Sequence, residues 1–506
     1  MNSSEYIWPT VGMLAVLMAI ILYLVFRGAK KTTNMSDYAL GSFAFSPVAV
    51  GLALAASMTS AATFIINPGL IGLYGISGVI SYAIVLPIAA FVSLVVLTKR
   101  FRAHGTKVKA LTMAQWMGKR YGSKGYATFF SVLSVLLITF IVLIVVGLAQ
   151  LLSQSLQVEP IIVMIGIVAF VFTYMMFGGA NSLVYTNTIQ ALLMLIVAVI
   201  LLASGRNFFS DGISGFMDQL AAISPNLIES TNPDSFLFRD YFEIIFCQII
   251  IGIAVVCQPH IITKSLILNK ESQVNKYLLT GIITMVIFFL VVIVGLYARL
   301  TFPDFTIDGT PIKPDQLVPL YIVEHFKVGT GLVVTLGLIA AGISTLEGLI
   351  QSLSVTFTSD LLIANSPKLE AWSDRKKIRL NRFVIVVLAL ITIALSTRQI
   401  LAPELSVAIF AQNGVYAFFS AAFFPLVMGM FSKKTNAGAA LASSATALTV
   451  HFAVYYGNIG SYMQNPVNNP AIAATFAILS SVVVGFLWLQ FSSSKKEFLT
   501  PESIKA

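Results

Sequence analysis

The sequence predicts an all-α polytopic membrane protein with about 13 transmembrane helices, and three observations carry that expectation. Of its 506 residues, 57% are hydrophobic and only 10% are charged, with a mean hydropathy of +0.89; a soluble chain carries about 25% charged residues. Apolar runs of about 17–30 residues recur from end to end, long enough to cross a bilayer as helices. The basic residues fall in alternate connections between these runs, as the positive-inside rule requires.

The first span, 7–27, has Glu5 before it and Arg27, Lys30 and Lys31 after it, the reverse of a secretory signal peptide. Spans follow at about 45–75, 77–98, 124–152, 160–177, 182–204, 241–262, 277–300, 329–360, 380–397, 404–431, 436–456 and 471–491. An odd number places the termini on opposite sides. The side that holds Lys99–Lys109, Lys119, Arg120, Lys264, Lys270, Lys276, Lys368–Arg382, Lys433, Lys434 and the tail lysines Lys495, Lys496 and Lys505 takes all but six of the 31 basic residues. The other six are Arg206, Arg239, Arg299, Lys313, Lys327 and Arg398. The N-terminus is therefore expected outside and the C-terminus in the cytoplasm, and the net charge of +10 reads as a topology signal, not as a nucleic-acid surface.

Two spans differ from the rest. The second runs Ala55-Ala56-Ser57-Met58-Thr59-Ser60-Ala61-Ala62-Thr63 and then Asn67-Pro68-Gly69, with small and hydroxylated residues in place of leucine and isoleucine. The seventh ends in Cys257-Gln258-Pro259-His260, where proline removes a backbone donor and breaks the helix. Such breaks are tolerated at depth where the freed carbonyls face protein or a water-filled cavity. They lie five spans apart, which suits an inverted repeat of five plus five helices with the site at the breaks. The repeats are placed at about 45–204 and 241–431, flanked by an extra N-terminal helix (7–27) and extra C-terminal helices (436–491), in one transmembrane domain over 1–506. The long connection Arg206–Asp240 is expected to be solvated and to hold short helices, and Thr112–Tyr121 reads as an amphipathic interfacial helix.

The ninth span carries Ala340-Ala341-Gly342-Ile343-Ser344-Thr345-Leu346-Glu347, two hydroxyls and a carboxylate in an otherwise apolar run. At about 100° per residue Ala341, Ser344, Thr345 and Glu347 share one face, which Gln351, Ser352, Thr356 and Ser359 continue. A carboxylate at bilayer depth costs roughly 2.5–3.5 kcal/mol on insertion scales and marks this stripe as an ion site. The lower part of the face reads as a hydrated exit or as polar contact between helices. The hydroxyls alone also fit bonding back into their own helix. Cys247 and Cys257 suggest neither disulfide nor metal site, and His104, His260, His325 and His451 are too scattered to form a ligand set.

These motifs, with Phe177-Gly178-Gly179, Thr186-Asn187-Thr188-Ile189-Gln190 and the loop Phe431-Ser432-Lys433-Lys434-Thr435-Asn436-Ala437-Gly438, resemble the sodium:solute symporter family over nearly the whole chain. The resemblance implies a LeuT-like fold, alternating access and sodium as coupling ion. It also implies a sodium site made by the Ala55 and Met58 carbonyls, the Ala341 carbonyl and the Ser344 and Thr345 hydroxyls. Oxygen ligands suit a hard cation. The chain departs from several members at Asn187, where they carry Asp, and at Glu347, where they carry small hydroxyl residues. Glu347 and Asn187 are thus expected to face each other as a second cation site or a proton site, or Glu347 to serve structure alone.

Substrate-binding candidates are Ser57, Thr59, Ser60 and Thr63 at the first break, Gln258 at the second, and Gln412 and Asn413 in the eleventh span. The outer half-helix after the first break presents an N-terminus suited to a carboxylate. With no Arg or Lys expected deep in a span, the solute is read as a small monocarboxylate or an amino acid such as proline. The expected function is sodium-coupled uptake of that solute across a bacterial inner membrane, with lipid, sodium and solute as partners and no nucleic acid. A proton-coupled symporter of the same fold and an ion channel are the alternatives; no clustered nucleophile, base or metal set points to an enzyme.

Overall fold

The computed structural model describes residues 4–42, 44–307, 309–402, 406–432, 435–463 and 467–491. Lys433, Lys434, Lys495, Lys496 and Lys505 lie outside the described residues. Helices α1 (Ser4–Ala29) and α2 (Met35–Leu40) precede a bent pair, α3 (Pro47–Met58) and α4 (Ala62–Tyr74). Then come α5 (Ile76–Val108), α6 (Met113–Tyr121), α7 (Lys124–Leu156), α8 (Pro160–Gly178), α9 (Ala180–Phe209) and the short α10 (Gly212–Ile223). A second bent pair, α11 (Phe242–Val255) and α12 (Pro259–Ile267), opens the next series. It continues through α13 (Glu271–Thr301), α14 (Pro314–His325), α15 (Val328–Ile363), α16 (Asp374–Leu401) and α17 (Val407–Phe431), and ends with α18 (Ala437–Tyr456) and α19 (Pro470–Phe491). With each bent pair taken as one span, up to 13 segments among the described residues are long and apolar enough to cross a membrane.

The two bends are nearly equal, 55° and 58°, and fall where the sequence places the breaks. Their chemistry differs. At the first, Thr59 leaves the helix in an extended conformation, and both its backbone N–H (3.0 Å) and its hydroxyl (2.6 Å) donate to the Ala55 carbonyl. The Ser60 hydroxyl then accepts from the Ala62 N–H at 3.1 Å and caps the outer half. At the second, Pro259 forces Gln258 into the extended region and supplies no donor to continue α11. The core around these breaks is helix on helix: α3 packs on α9, α13 and the middle of α15, and α9 packs along α15.

Two surface helices occupy corresponding places, α6 after α5 and α14 after α13, at opposite ends of the bundle. α6 is docked more deeply than an interfacial helix. Trp116 is buried and stacks on Phe101, and Arg120 donates to the Gly429 and Ser432 carbonyls, each at 2.5 Å. Thr112 and Gln115 both donate to the carboxylate of Asp360 near the end of α15. On α14, Asp315 accepts from the Ser406 hydroxyl (2.5 Å) and the Val407 N–H (3.1 Å) at the start of α17. Burial pushes the Asp315 carboxyl above the ordinary carboxylate range, against those two hydrogen bonds and the charge of Lys313. Glycines let this end close: Gly69 meets the Pro314 carbonyl and Gly295 meets the Pro68 carbonyl, so backbone touches backbone where no side chain fits.

Candidate functional site

The ninth-span stripe faces the first break. The Ser344 hydroxyl lies 2.7 Å from the Ala56 carbonyl and 3.0 Å from that of Ala341, and the Thr345 hydroxyl lies 3.3 and 3.4 Å from the same two oxygens. All four residues are fully buried. Two hydroxyls and two carbonyls from α3 and α15 thus converge without a formal charge, a donor set suited to a small hard cation. The α3 carbonyl in this cluster is that of Ala56. The Ala55 carbonyl, one residue earlier, is taken by Thr59, and Met58 contributes its side chain to the cavity below the break.

One turn further along α15, Glu347 is buried and its carboxylate is held on both oxygens. The Tyr174 hydroxyl donates to Oε1 at 2.6 Å and the Thr186 hydroxyl to Oε2 at 2.7 Å. Asn187 completes the set with its amide oriented to satisfy its neighbours. Its nitrogen donates to Glu347 Oε2 (2.7 Å) and Gln190 Oε1 (2.9 Å), and its oxygen accepts from Ser57 Oγ (3.0 Å) and Lys264 Nζ (3.3 Å). Asn187 and Glu347 therefore meet across the α9–α15 interface.

Lys264 corrects an expectation. The sequence places it among the basic residues beyond the seventh span and leaves the interior without a cation. In the structure α12 leaves the break at a 58° bend, Lys264 is only 5% exposed, and Nζ donates to the Ala53 carbonyl of α3 at 3.0 Å. The interior holds a lysine and a glutamate with an asparagine between them.

Between the two breaks lies a cavity of about 130 Å³. Ser60 and Thr63 from the first break, Gln258 from the second and Gln412 from α17 line it, together with Asn67 and His260; Met58, Phe140 and Tyr416 supply apolar wall. Gln258 Oε1 and both ring nitrogens of His260 are buried and have no hydrogen-bond partner in the protein, so they are available to a solute. The other substrate candidates point elsewhere. Ser57 belongs to the Asn187 cluster, the Thr59 hydroxyl bonds the Ala55 carbonyl, and Asn413 faces α18, bonded to His451 (2.8 Å) and Tyr456 (2.9 Å). His260 and Asn67 were missed: a lone histidine beside a proline and an asparagine before one carry no spacing signal.

Below His260 a smaller cavity of about 30 Å³ reaches Thr263, Lys264, Gly348, Gln351 and Ser352. Gln351 closes it by donating to the Tyr38 and Ala39 carbonyls at 2.8 and 3.0 Å. The lower stripe of α15 thus begins as a lined space and ends in contact between helices.

Residues 38–446 match the model of the sodium:solute symporter family. Among curated relatives, the sodium/pantothenate symporter of Haemophilus influenzae is 25% identical over 448 residues, covering 85% of this chain and 88% of that protein. That of Escherichia coli is 28% identical over 454 residues, covering 87% and 88%. Among solved structures, a Na+-coupled sialic acid symporter in a substrate-bound outward-open state superposes with a TM-score of 0.80 at 17% identity, covering 97% of this chain and all of that one. That likeness establishes the fold.

Proposed function

This chain belongs to the sodium:solute symporter family, and on that premise we propose that it imports a small organic monocarboxylate by symport with sodium. Pantothenate, the solute named for two relatives, is the first candidate, and proline and acetate follow. The observation that carries this reading is the convergence of Ala56, Ala341, Ser344 and Thr345 at the edge of the break that also walls the solute cavity.

In this reading sodium replaces the hydroxyl hydrogens as the partner of the two carbonyls. Ser344 and Thr345 then present lone pairs to the ion and turn their protons outward. Because the oxygens belong to α3 and α15, the ion ties these helices together. That contact fixes the first break, and with it Ser60 and Thr63, in the geometry the solute meets. The solute carboxylate lies toward the start of α4, where the helix dipole favours negative charge. Gln258 and His260 engage its remaining polar groups. The membrane is the bacterial plasma membrane, with the α6 end in the cytoplasm.

The test is uptake of labelled pantothenate, proline and acetate into proteoliposomes under an inward sodium gradient. Accumulation of one of them that collapses in Ser344→Ala/Thr345→Ala is the expected result. Uptake that follows a proton gradient and ignores sodium sinks the proposal.

A further inference from the structure

The pocket around Glu347 has the ingredients of a second cation site but is already filled by the protein. Each carboxylate oxygen accepts from a neutral donor, Tyr174 on one and Thr186 and Asn187 on the other. Neutral donors satisfy lone pairs without cancelling the charge, and a buried carboxylate is either protonated or paired with a cation. The cation beside it is the Lys264 ammonium, 3.3 Å from the Asn187 oxygen, whose amide nitrogen in turn donates to Glu347.

We propose that Lys264 is a tethered cation that stands in for a second sodium at the Glu347–Asn187 pocket, so that the carrier runs on one sodium per cycle. Three features of the site agree. An amide is what the position between a lysine and a glutamate requires, since it accepts on one side and donates on the other; an aspartate there could not donate to Glu347 and would add a like charge. The lysine is anchored on the Ala53 carbonyl of α3, three residues before the carbonyl that meets Ser344 and Thr345. The cavity of about 30 Å³ beside the lysine is lined by neither Glu347 nor Asn187, which lie buried in protein. The interior charge therefore closes on itself, and sodium is left to the neutral oxygens one turn away.

This inference rests on the sodium-coupled reading above, and counting sodium ions separates the two. The measurement is equilibrium binding of ²²Na+ to the purified full chain in nanodiscs, which needs no solute. One site is expected in the wild type, lost in Ser344→Ala/Thr345→Ala. Lys264→Met removes the tethered charge and is expected to raise the count to two, and Lys264→Met/Glu347→Gln to return it to one. Asn187→Asp, which keeps the lysine and adds a carboxylate, is expected to give two and serves where Lys264→Met does not purify as a folded protein. Two sodium ions on the wild type, or one on a folded Lys264→Met or Asn187→Asp, overturns the tethered cation and leaves sodium coupling intact. A wild type that binds none overturns the sodium-coupled reading itself.

Discussion

Two pockets sit one helical turn apart on α15 and solve the same problem in opposite ways. At Ser344 and Thr345, oxygens from two helices meet with no formal charge between them, so the site is complete in polarity and incomplete in charge. At Glu347 the protein brings both signs itself, a carboxylate and an ammonium joined through an amide. In the proposed reading the first arrangement takes an ion from solution. The second is hydrogen-bonded within the protein, and its bonds tie α3, α8, α9, α12 and α15 together. The difference teaches that a polar stripe in a membrane helix need not be one functional unit: its upper part is suited to exchange and its lower part to staying fixed.

The comparison is broken most directly by removing one partner of the charged cluster. Glu347→Gln leaves the Lys264 ammonium buried without its counter-charge, a change that costs about 3–5 kcal/mol when one member of a buried pair is lost. Its melting temperature is expected to fall sharply, and Lys264→Met/Glu347→Gln to recover most of the loss, a coupling that a double-mutant cycle reads directly. Equal and additive losses in the two single variants would show that the residues act apart.

At the neutral pocket the effect falls on binding. Ser344→Ala and Thr345→Ala each remove a buried oxygen worth about 1–3 kcal/mol, or roughly five- to 140-fold in sodium affinity. The half-saturating sodium concentration of uptake is the quantity to measure. The cavity provides a third contrast. His260→Phe and Gln258→Leu keep the volume and remove unpartnered polar atoms, and are expected to raise the solute KM about tenfold, on the order of one lost hydrogen bond, with the sodium dependence unchanged.

The smallest effect belongs to Asp315 on α14, remote from both pockets. Its carboxyl is raised above the ordinary aspartate value near 3.8 by burial, so the folded state favours the protonated form. The stability tied to this group is fully present below that value and declines as pH rises through the raised one. Asp315→Asn is expected to abolish that slope, measured as melting temperature from pH 3.5 upward. A wild-type slope that persists in the variant assigns it to another group.

Much of this was legible in the sequence because it rests on backbone chemistry. Thr59-Ser60 and Gln258-Pro259 announce breaks by what they deny a helix, and the bends lie there. The Glu347–Asn187 contact was implied by the family resemblance at these two positions, on two spans that pack together. Lys264 was illegible for a related reason. A lysine closing an apolar run ordinarily reaches for water, and only the 58° turn at Pro259 carries its side chain back to Ala53. Ser57, Thr59 and Asn413 show the converse, since proximity to a break along the chain does not say on which side of the helix a hydroxyl or amide emerges.

The glycines at the α14 end bear on where movement can begin. With Gly69 against the Pro314 backbone and Gly295 against Pro68, α4 cannot roll about its axis or slide past α13 and α14 without collision. The inner arm α3 makes a backbone contact of the same kind at Gly51, against the Tyr277 carbonyl of α13, while at its terminus Ala56 is held by hydroxyls that can exchange partners. Both arms of the first broken span are thus held by backbone contact, and a change in its bend has to be taken up at residues 59–61 between them. Gly69→Ala, which wedges a methyl group against the Pro314 carbonyl, is expected to lower the melting temperature without touching either pocket.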